Sequence, residues 1–148
     1  MQDLSLHILD IAENATRAGG SKIVIQILED ESEDKLTVCV QDNGKGMDWE
    51  TRKKAMDPFF TTKSRKKFGL GLSLLAQAAQ QVNGYLDVDS EEGKGTKVTA
   101  VFQLSHPDMK PIGDISETMT ALVAGNPSTQ FILDYKIGDY SYYFDSFA

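Results

Sequence analysis

SKIVIQILEDESEDKLTVCVQDNGKGM, residues 21–47, holds the pattern on which the predicted fold depends. Apolar residues alternate with others in two runs, 23–28 and 36–40, on either side of the acidic turn 29–34. This alternation predicts two strands, and the short turn between them predicts that they pair antiparallel. A doubly wound parallel sheet would need a helix between them, so that fold class is excluded.

The flanking sequence adds two long helices and a second strand pair. Apolar residues recur at helical spacing over 4–18 and over 70–82, and alternation returns over 85–89 and 97–104. Strands that pair through turns, with helices collected on one face, make a two-layer α/β sandwich. The sequence therefore predicts an α+β fold with a mixed, mainly antiparallel sheet.

The segment between the first strand pair and the second long helix is unusual in charge. Asp48 is a candidate cap for a short helix to about Ala55, and residues 56–68 show no period, which predicts a long loop. Residues 52–67 contain seven of the 15 Lys and Arg residues against a single Asp, in a chain of net charge −7. This local excess of positive charge favours an anion such as a polyphosphate as partner, although a solvated patch would have the same composition.

Length, charge and cysteine content exclude several classes of protein. A chain of 148 residues has the size of one ordinary domain, and its net charge disfavours general attraction to nucleic acid or anionic lipid. Cys39 is the single cysteine, so the chain can form neither an intramolecular disulfide nor a cysteine metal cage. No apolar run approaches the length of a membrane span, and the missing leader sequence predicts a cytoplasmic location.

The composition changes near residue 105, and we expect a domain over 1–104 with an extension over 105–148 packed on it. The extension begins with a proline-containing connector, continues with a predicted helix over 115–123, and ends in residues 130–147, which resemble a hairpin. This hairpin holds seven of the 13 aromatic residues. It either covers an edge of the sheet or forms a contact with a partner or a second copy of the chain.

Polar residues form a stripe along the first helix, beside its apolar face. His7, Asp10, Asn14 and Arg17 follow one another at spacings of three, four and three. Asp10 and Asn14 offer the oxygen ligands that magnesium requires, and Arg17 offers donors to a phosphate. On this helix alone, a solvated helix face explains the stripe better than a ligand site does.

Three glycine-rich segments could bind a nucleotide. Residues 42–47 place Asp42 directly after a strand, where it could accept a hydrogen bond from an exocyclic amine, although DNG is also ordinary turn chemistry. Residues 68–72 open the second long helix and predict an anion site at its N-terminus. Residues 93–96 read as a hairpin turn with a hydroxyl, and no segment has the Rossmann or P-loop glycine spacing.

These segments, in this order, resemble the GHKL ATPase superfamily, the group of gyrase, Hsp90, histidine kinases and MutL. The helix segment 10–17 is similar to the N box of that superfamily, and residues 42–47, 69–72 and 93–96 are similar to its three glycine boxes. Residues 59–63, FFTTK, resemble a segment of the histidine-kinase branch. The resemblance covers residues 1–104 and implies the Bergerat ATP-binding fold.

The resemblance also implies residue roles. Asp10 would be the catalytic base, although hydrolysing members carry a longer glutamate there, and Asn14 would coordinate Mg²⁺ on the phosphates of ATP, beside Arg17. Asp42 would bind the adenine amine, with Thr96 in support. The other implied ATP-binding residues lie in the first glycine box, in the loop that would order over ATP, and in the second glycine box: Gly44, Gly46, Met47; Phe60, Lys63, Phe68; Gly69, Leu70, Gly71, Leu72.

Three functions fit this resemblance. Histidine kinases of the superfamily carry a phosphoacceptor hairpin ahead of the module, and this chain begins almost at its N box, so we expect the phosphoacceptor on another protein and structural roles for His7 and His106. The leading hypothesis is a stand-alone kinase module that transfers the γ-phosphoryl group to that protein. The alternatives are a slow ATPase or nucleotide-gated switch, and a regulatory binding module like the anti-sigma kinases.

Overall fold

A computed structural model of the chain describes residues 3–48, 50, 51, 53 and 70–148. Three long helices and six strands lie in these ranges. The helices are α1 (Leu4–Arg17), α2 (Leu70–Gln80) and α3 (Ile115–Gly125). The strands are β1 (Lys22–Asp30), β2 (Lys35–Asp42), β3 (Tyr85–Glu91), β4 (Gly95–Gln103), β5 (Gln130–Ile137) and β6 (Tyr140–Asp145).

All six strands form one sheet in the order β3-β4-β2-β1-β5-β6. The pairs β1–β2, β2–β4, β3–β4 and β5–β6 are antiparallel, and β1–β5 is the parallel pair of the sheet. The sheet is therefore mixed and mainly antiparallel, which confirms the predicted fold class. The strand alternation correctly predicted the antiparallel pairing of β1 with β2, in which Ile25 lies opposite Val40.

The core lies between the helices and one face of the sheet. Alternate residues of β1, including Ile23 and Ile25, are buried against this layer, whereas Gln26 and Leu28 on the other face are exposed. On α1 the buried apolar residues are Leu4, Ile8, Ile11, Ala12 and Ala15, at the spacing of one helix face. The polar stripe of α1 borders this buried face.

The ends of several elements differ from the predicted ones by a few residues. Helix α1 ends at Arg17 instead of Ala18, and α3 continues to Gly125 because no breaker precedes that glycine. Asp48 acts as the predicted cap: its Oδ1 accepts a hydrogen bond of 2.7 Å from the N–H of Thr51. The predicted end of this short helix at Ala55 and the predicted loop 56–68 lie outside the described residues.

Residues after 105 contact the start of α1. The N–H groups of Leu4 and Ser5, at the start of α1, donate to the carbonyl oxygens of Pro111 and Ile112 at 3.0 and 2.7 Å. These bonds satisfy two of the free donors at the helix start.

No helix in the described part of the chain has both the length and the apolar character that a bilayer span requires.

Candidate nucleotide site

Asp42 is the last residue of β2, and its carboxylate is held by main-chain donors. Its Oδ1 accepts a hydrogen bond of 2.8 Å from the N–H of Gly44, and the N–H of Thr96 on the neighbouring strand also donates to the carboxylate. Partial burial raises the pKa of Asp42 above its ordinary value, and the two N–H donors offset part of this rise. The carboxylate thus has a fixed position at the end of the strand.

Gly44 lets the loop after β2 pack closely on the end of α1. A Cβ atom at Gly44 would lie 2.9 Å from the carbonyl oxygen of Ala18 and 3.0 Å from Oδ1 of Asp42. The next residue, Lys45, donates its N–H to the same Ala18 oxygen at 3.0 Å. Because this approach leaves no room for a side chain, glycine is required here, and the loop holds Asp42 beside α1.

The first and third glycine segments are bound to each other. The N–H of Gly93 donates to the carbonyl oxygen of Lys45 at 2.6 Å. Gly46 has a φ of 71°, and a Cβ there would lie 2.1 Å from the carbonyl oxygen of Glu91. Gly95 has a φ of 109°, and a Cβ there would lie equally close to the carbonyl oxygen of Asp42. The two segments, separated by nearly 50 residues in sequence, therefore form one unit around Asp42.

Ser90 connects this unit to Thr96, and the sequence analysis missed it. The Ser90 hydroxyl accepts from the N–H of Met47 at 2.8 Å, donates to the carbonyl oxygen of Gly95 at 3.1 Å and lies 2.8 Å from Oγ1 of Thr96. Since its one proton goes to Gly95, the Thr96 hydroxyl is the donor in that last contact. Ser90 pairs with Thr96 across β3 and β4, so only the strand register could have revealed it.

Asn43 is a second residue that the sequence analysis did not assign. Its Oδ1 accepts hydrogen bonds from the N–H groups of Ser21 and Lys22 at 2.9 and 3.1 Å, and its Nδ2 donates to the Ser21 hydroxyl at 3.0 Å. These bonds tie the loop after β2 to the start of β1. Asn43 therefore positions the loop, while its neighbour Asp42 presents a carboxylate.

On α1, the structure brings Asn14 and Arg17 into direct contact. The Arg17 guanidinium donates a hydrogen bond to Oδ1 of Asn14, one turn earlier on the same helix face. Asp10, one turn before Asn14, is exposed and makes no hydrogen bond or ion pair with the described residues. His7 is half-buried, and burial lowers its pKa against the opposing effect of the Asp10 and Asp3 carboxylates.

The amide oxygen of Asn14 is the magnesium ligand that the resemblance implies, and the exposed Asp10 carboxylate lies one turn earlier. The described residues contain no group of three or more His, Cys, Asp or Glu residues that could hold a metal ion. Magnesium keeps several waters and commonly takes further ligands from phosphates, so one amide oxygen from Asn14 fits a nucleotide-bound ion. That oxygen has a second lone pair beside the one that accepts from Arg17, and turning Arg17 away would free both.

The second glycine segment is described only in part. Helix α2 begins at Leu70, so Gly71 lies in its first turn, where unpaired N–H groups are available to an anion. The Leu72 side chain belongs to the hydrophobic core, so only its main chain could face a ligand. Phe60, Lys63, Phe68 and Gly69 lie outside the described residues, as does the basic segment apart from the exposed, helical Lys53.

A groove of the described residues lies away from Asp42. It has a volume of about 850 Å³ and is formed by α3 and the helix-facing side of β5 and β6. Its walls are mainly apolar and aromatic, with Met119, Tyr135 and Tyr142 among them. This groove belongs to the extension rather than to the glycine-rich unit.

Comparison with known proteins gives the same family as the sequence resemblance. The family model described as "Histidine kinase-, DNA gyrase B-, and HSP90-like ATPase" matches residues 2–106. Sensor histidine kinase ZraS of Escherichia coli is 35% identical over 92 residues, which are 62% of this chain and 20% of ZraS. Signal transduction histidine-protein kinase AtoS of Escherichia coli is 35% identical over 105 residues, 71% of this chain and 17% of AtoS.

The chain belongs to the family of histidine kinase-, gyrase B- and HSP90-like ATPases, because the match covers well over half of its length. It is an ATP-binding, histidine-kinase-like module, and the GHKL resemblance is confirmed. The chain spans only about a fifth of the length of the relatives named above. The matched region ends at residue 106, so α3, β5 and β6 lie outside it.

Proposed function

We propose that this module binds ATP with Mg²⁺ and transfers the γ-phosphoryl group to a separate protein. The observation that carries the proposal is the glycine-rich unit around Asp42. It fixes a half-buried carboxylate at a strand end, through backbone approaches that exclude side chains at Gly44, Gly46 and Gly95. Such a site suits a flat base with an exocyclic amine, and the family match supplies adenine as that base.

Asp42 and Thr96 would recognise the adenine together. The Asp42 carboxylate accepts a hydrogen bond from the amine and is oriented by the N–H groups of Gly44 and Thr96. The Thr96 hydroxyl donates its proton to Ser90, so the lone pairs of the Thr96 oxygen can accept from a water or from a donor on the base. Met47, partly buried against the core, contributes apolar surface beside this loop.

Asn14 and Arg17 would act at the phosphate end. When Mg²⁺ is bound, it neutralises phosphate charge and polarises the transferred group. Asn14 offers the ligand oxygen, and Arg17 turns from Asn14 to a phosphate. Main-chain N–H groups of Gly69, Leu70, Gly71 and Leu72 would hold the phosphates at the start of α2, with Phe60, Lys63 and Phe68 in the loop that covers ATP.

Transfer breaks the bond between the γ-phosphorus and its bridging oxygen, and ADP leaves. A nucleophile on the separate protein forms the new bond to phosphorus, and positioning with charge neutralisation supplies most of the acceleration. Asp10 is exposed one turn before Asn14, where it can accept the proton that the nucleophile gives up. If water is the nucleophile instead, the same group makes the module a slow ATPase.

We further propose a cytoplasmic location, and for the aromatic tail a contact with a second copy of the chain. The charge of −7 disfavours nucleic acid and anionic membranes as general partners. The separate phosphoacceptor is the protein partner that the kinase proposal requires. Its chemistry is that of a phosphorylatable side chain, histidine in the histidine-kinase branch.

Calorimetric titration of ATP with and without Mg²⁺ tests the binding part. We expect Asn14→Ala to remove the magnesium-dependent gain in affinity, because the ligand oxygen is lost, and to leave the circular dichroism spectrum unchanged. Gln80→Ala is the matched control, since it removes an exposed amide from the far end of α2. Equal magnesium dependence in wild type and Asn14→Ala would contradict the assignment of Asn14.

Incubation with γ-labelled ATP and a cell lysate tests the transfer part. A labelled protein, absent when Asn14→Ala replaces wild type, is the result expected for a kinase. Release of free labelled phosphate without a labelled protein would instead establish the ATPase or switch. A stable complex without any label would establish the regulatory binding module.

A further inference from the structure

Strand β6 ends the sheet with a row of main-chain groups that face outward. The N–H of Ser146 donates to the carbonyl oxygen of Phe131 at 2.9 Å, so even-numbered residues here direct their main-chain groups toward β5. The N–H and C=O groups of Ser141 and Tyr143 consequently point to the open edge, as does the N–H of Asp145, whose C=O accepts a hydrogen bond from the N–H of Ala148 at 3.1 Å. Among the described residues, no strand lies beyond β6.

The two edges of the sheet differ in how they are protected. Edge strand β3 carries acidic side chains at Asp87, Asp89 and Glu91, which oppose pairing with a second copy through charge repulsion. Edge strand β6 has the sequence YSYYFD, with no lysine, arginine or proline and one acidic residue at its end. Because exposed edges are normally blocked by such residues, β6 is the edge suited to pairing.

The side chains around β6 provide over half of the apolar area that a standard dimer interface buries. Tyr140, Tyr142, Tyr143 and Phe147 are 60, 48, 64 and 57% exposed. At about 200 Å² for each aromatic residue, they present roughly 450 Å² per copy, over half of the ~800 Å² per partner in a standard interface. The exposed area therefore coincides with the unprotected edge.

We propose that two copies of the chain pair antiparallel through their β6 strands, with Tyr143 opposite Tyr143 on the two-fold axis. This deepens the proposed self-contact of the tail and does not depend on ATP binding. Tyr143 of each copy exchanges two main-chain hydrogen bonds with the other, because its N–H and C=O groups face the edge. The two six-stranded sheets become one continuous sheet of twelve strands.

The register follows from charge and shape. Centring on Tyr143 places Ser141 opposite Asp145, so a hydroxyl can donate to a carboxylate, and places Tyr142 opposite Phe144 on the helix-facing side. Centring on Tyr142 would instead place Asp139 opposite Asp145, and these like charges repel. The alternating chemistry of β6 thus favours the Tyr143-centred register.

The test measures the oligomeric state by sedimentation velocity over a wide range of protein concentration. We expect wild type to form dimers and Tyr143→Lys to raise the dimer dissociation constant at least about tenfold, since it places two like charges at the axis. Tyr85→Lys is the matched control, because Tyr85 is 57% exposed on the opposite edge strand. It should dimerise like wild type.

Disulfide cross-linking tests the register. Hydrogen-bonded antiparallel residues have Cα atoms about 5.5 Å apart, which a disulfide can bridge, so Tyr143→Cys should give covalent dimers under mild oxidation. Tyr85→Cys should not, and the unchanged chain, with its buried Cys39, is the blank. Three results would each overturn the proposal: a monomeric wild type, a dimer unaffected by Tyr143→Lys, or stronger cross-linking through Tyr142→Cys. ATP titration of the same samples reports on the nucleotide site separately.

Discussion

Asp42 is half-buried at the end of β2, where burial opposes its charge and main-chain donors support it. Removal from water raises its pKa, and the N–H groups of Gly44 and Thr96 recover part of the lost hydration. A carboxylate in such a position is a strong acceptor for a ligand amine, because charge-assisted hydrogen bonds are stronger than neutral ones. Partial burial of the Asp42 carboxylate thus makes it suitable for binding a ligand amine and also makes it unfavourable for stability.

The isosteric substitution Asp42→Asn should therefore weaken ATP binding about tenfold. The neutral amide can still accept the hydrogen bond from Gly44, but the charged acceptor for the ligand amine is lost. Calorimetry with ATP measures the change, and Asp87→Asn, on the exposed edge strand, is the control. An unchanged ATP affinity in Asp42→Asn would remove Asp42 from the base site.

The raised pKa of Asp42 also predicts how the stability difference between wild type and Asp42→Asn depends on pH. The pKa of Asp42 is higher in the folded protein than in the unfolded one, so between these two pKa values the folded protein binds more protons. The contribution of Asp42 to the free energy of unfolding therefore becomes more unfavourable as pH rises from the unfolded-state pKa to the folded-state pKa. Asp42→Asn should consequently have the larger free energy of unfolding at neutral pH, and the difference should disappear as pH falls below the ordinary aspartate pKa. Urea denaturation of both proteins at several pH values measures it; a difference that grows on acidification would contradict the sign.

Asp10 makes a separate prediction about turnover. If the exposed Asp10 carboxylate accepts a proton during the reaction, Asp10→Asn should reduce turnover by about 10²-fold or more and leave ATP affinity nearly unchanged. Glu13→Gln is the control, since Glu13 lies about 100° from Asn14 around α1. A phosphate-release assay with wild-type turnover in Asp10→Asn would rule out Asp10 as the base.

At the scale of elements, the central result is that two glycine-rich turns, remote in sequence, interlock. The first follows β2 and the second joins β3 to β4, and the antiparallel pairing of β2 with β4 brings Asp42 opposite Thr96. The turn residues were recognisable from sequence because glycine punctuates strand patterns. Their mutual contacts were not, because they depend on a pairing between strands that are not neighbours in sequence.

Gly46→Ala should destabilise the protein by at least about 2 kcal/mol more than Gly93→Ala. Both glycines have positive φ, so both substitutions introduce backbone strain of about 1–2 kcal/mol. A Cβ at Gly46 would also lie 2.1 Å from the Glu91 carbonyl oxygen, whereas a Cβ at Gly93 would meet nothing within 4 Å. Thermal or urea denaturation measures the difference, and equal destabilisation by both would show that the two turns do not pack as described.

Local periodicity predicted nearly every helix and strand in the described residues, since alternation and helical spacing are read within one segment. It did not predict the hydrogen bonds of Ser90 and Asn43, because each reaches residues of another segment. The polar stripe on α1 was correctly placed, but the contact between Arg17 and Asn14 depends on side-chain conformation. Candidate binding residues are therefore visible in the sequence, while the residues that position them become visible in the structure.

At the scale of the whole molecule, the extension supplies strands β5 and β6 to the sheet. Strand β5 pairs in parallel with β1 over eight residues, from Lys22 opposite Gln130 to Glu29 opposite Ile137. Its Phe131 and Leu133 are fully buried in the same core as Ile23 and Ile25. The sequence indicated a hairpin here but not its partner, because alternation defines the faces of a strand and leaves its neighbour open.

Truncation after Thr129 should therefore unfold the protein, and truncation after Gly138 should not. The shorter chain loses the buried Phe131 and Leu133, each contributing about 1.5–3 kcal/mol out of a total stability of about 5–15 kcal/mol. It also leaves β1 with β2 as its one remaining partner strand. The longer one keeps β5 and loses only β6, whose tyrosines are largely exposed. Circular dichroism and thermal denaturation distinguish the two, and the longer chain should still bind ATP because its glycine-rich unit is intact. A cooperatively folded, ATP-binding protein ending at Thr129 would mean that residues 1–129 are independent of β5, and that the extension is an addition to a finished core.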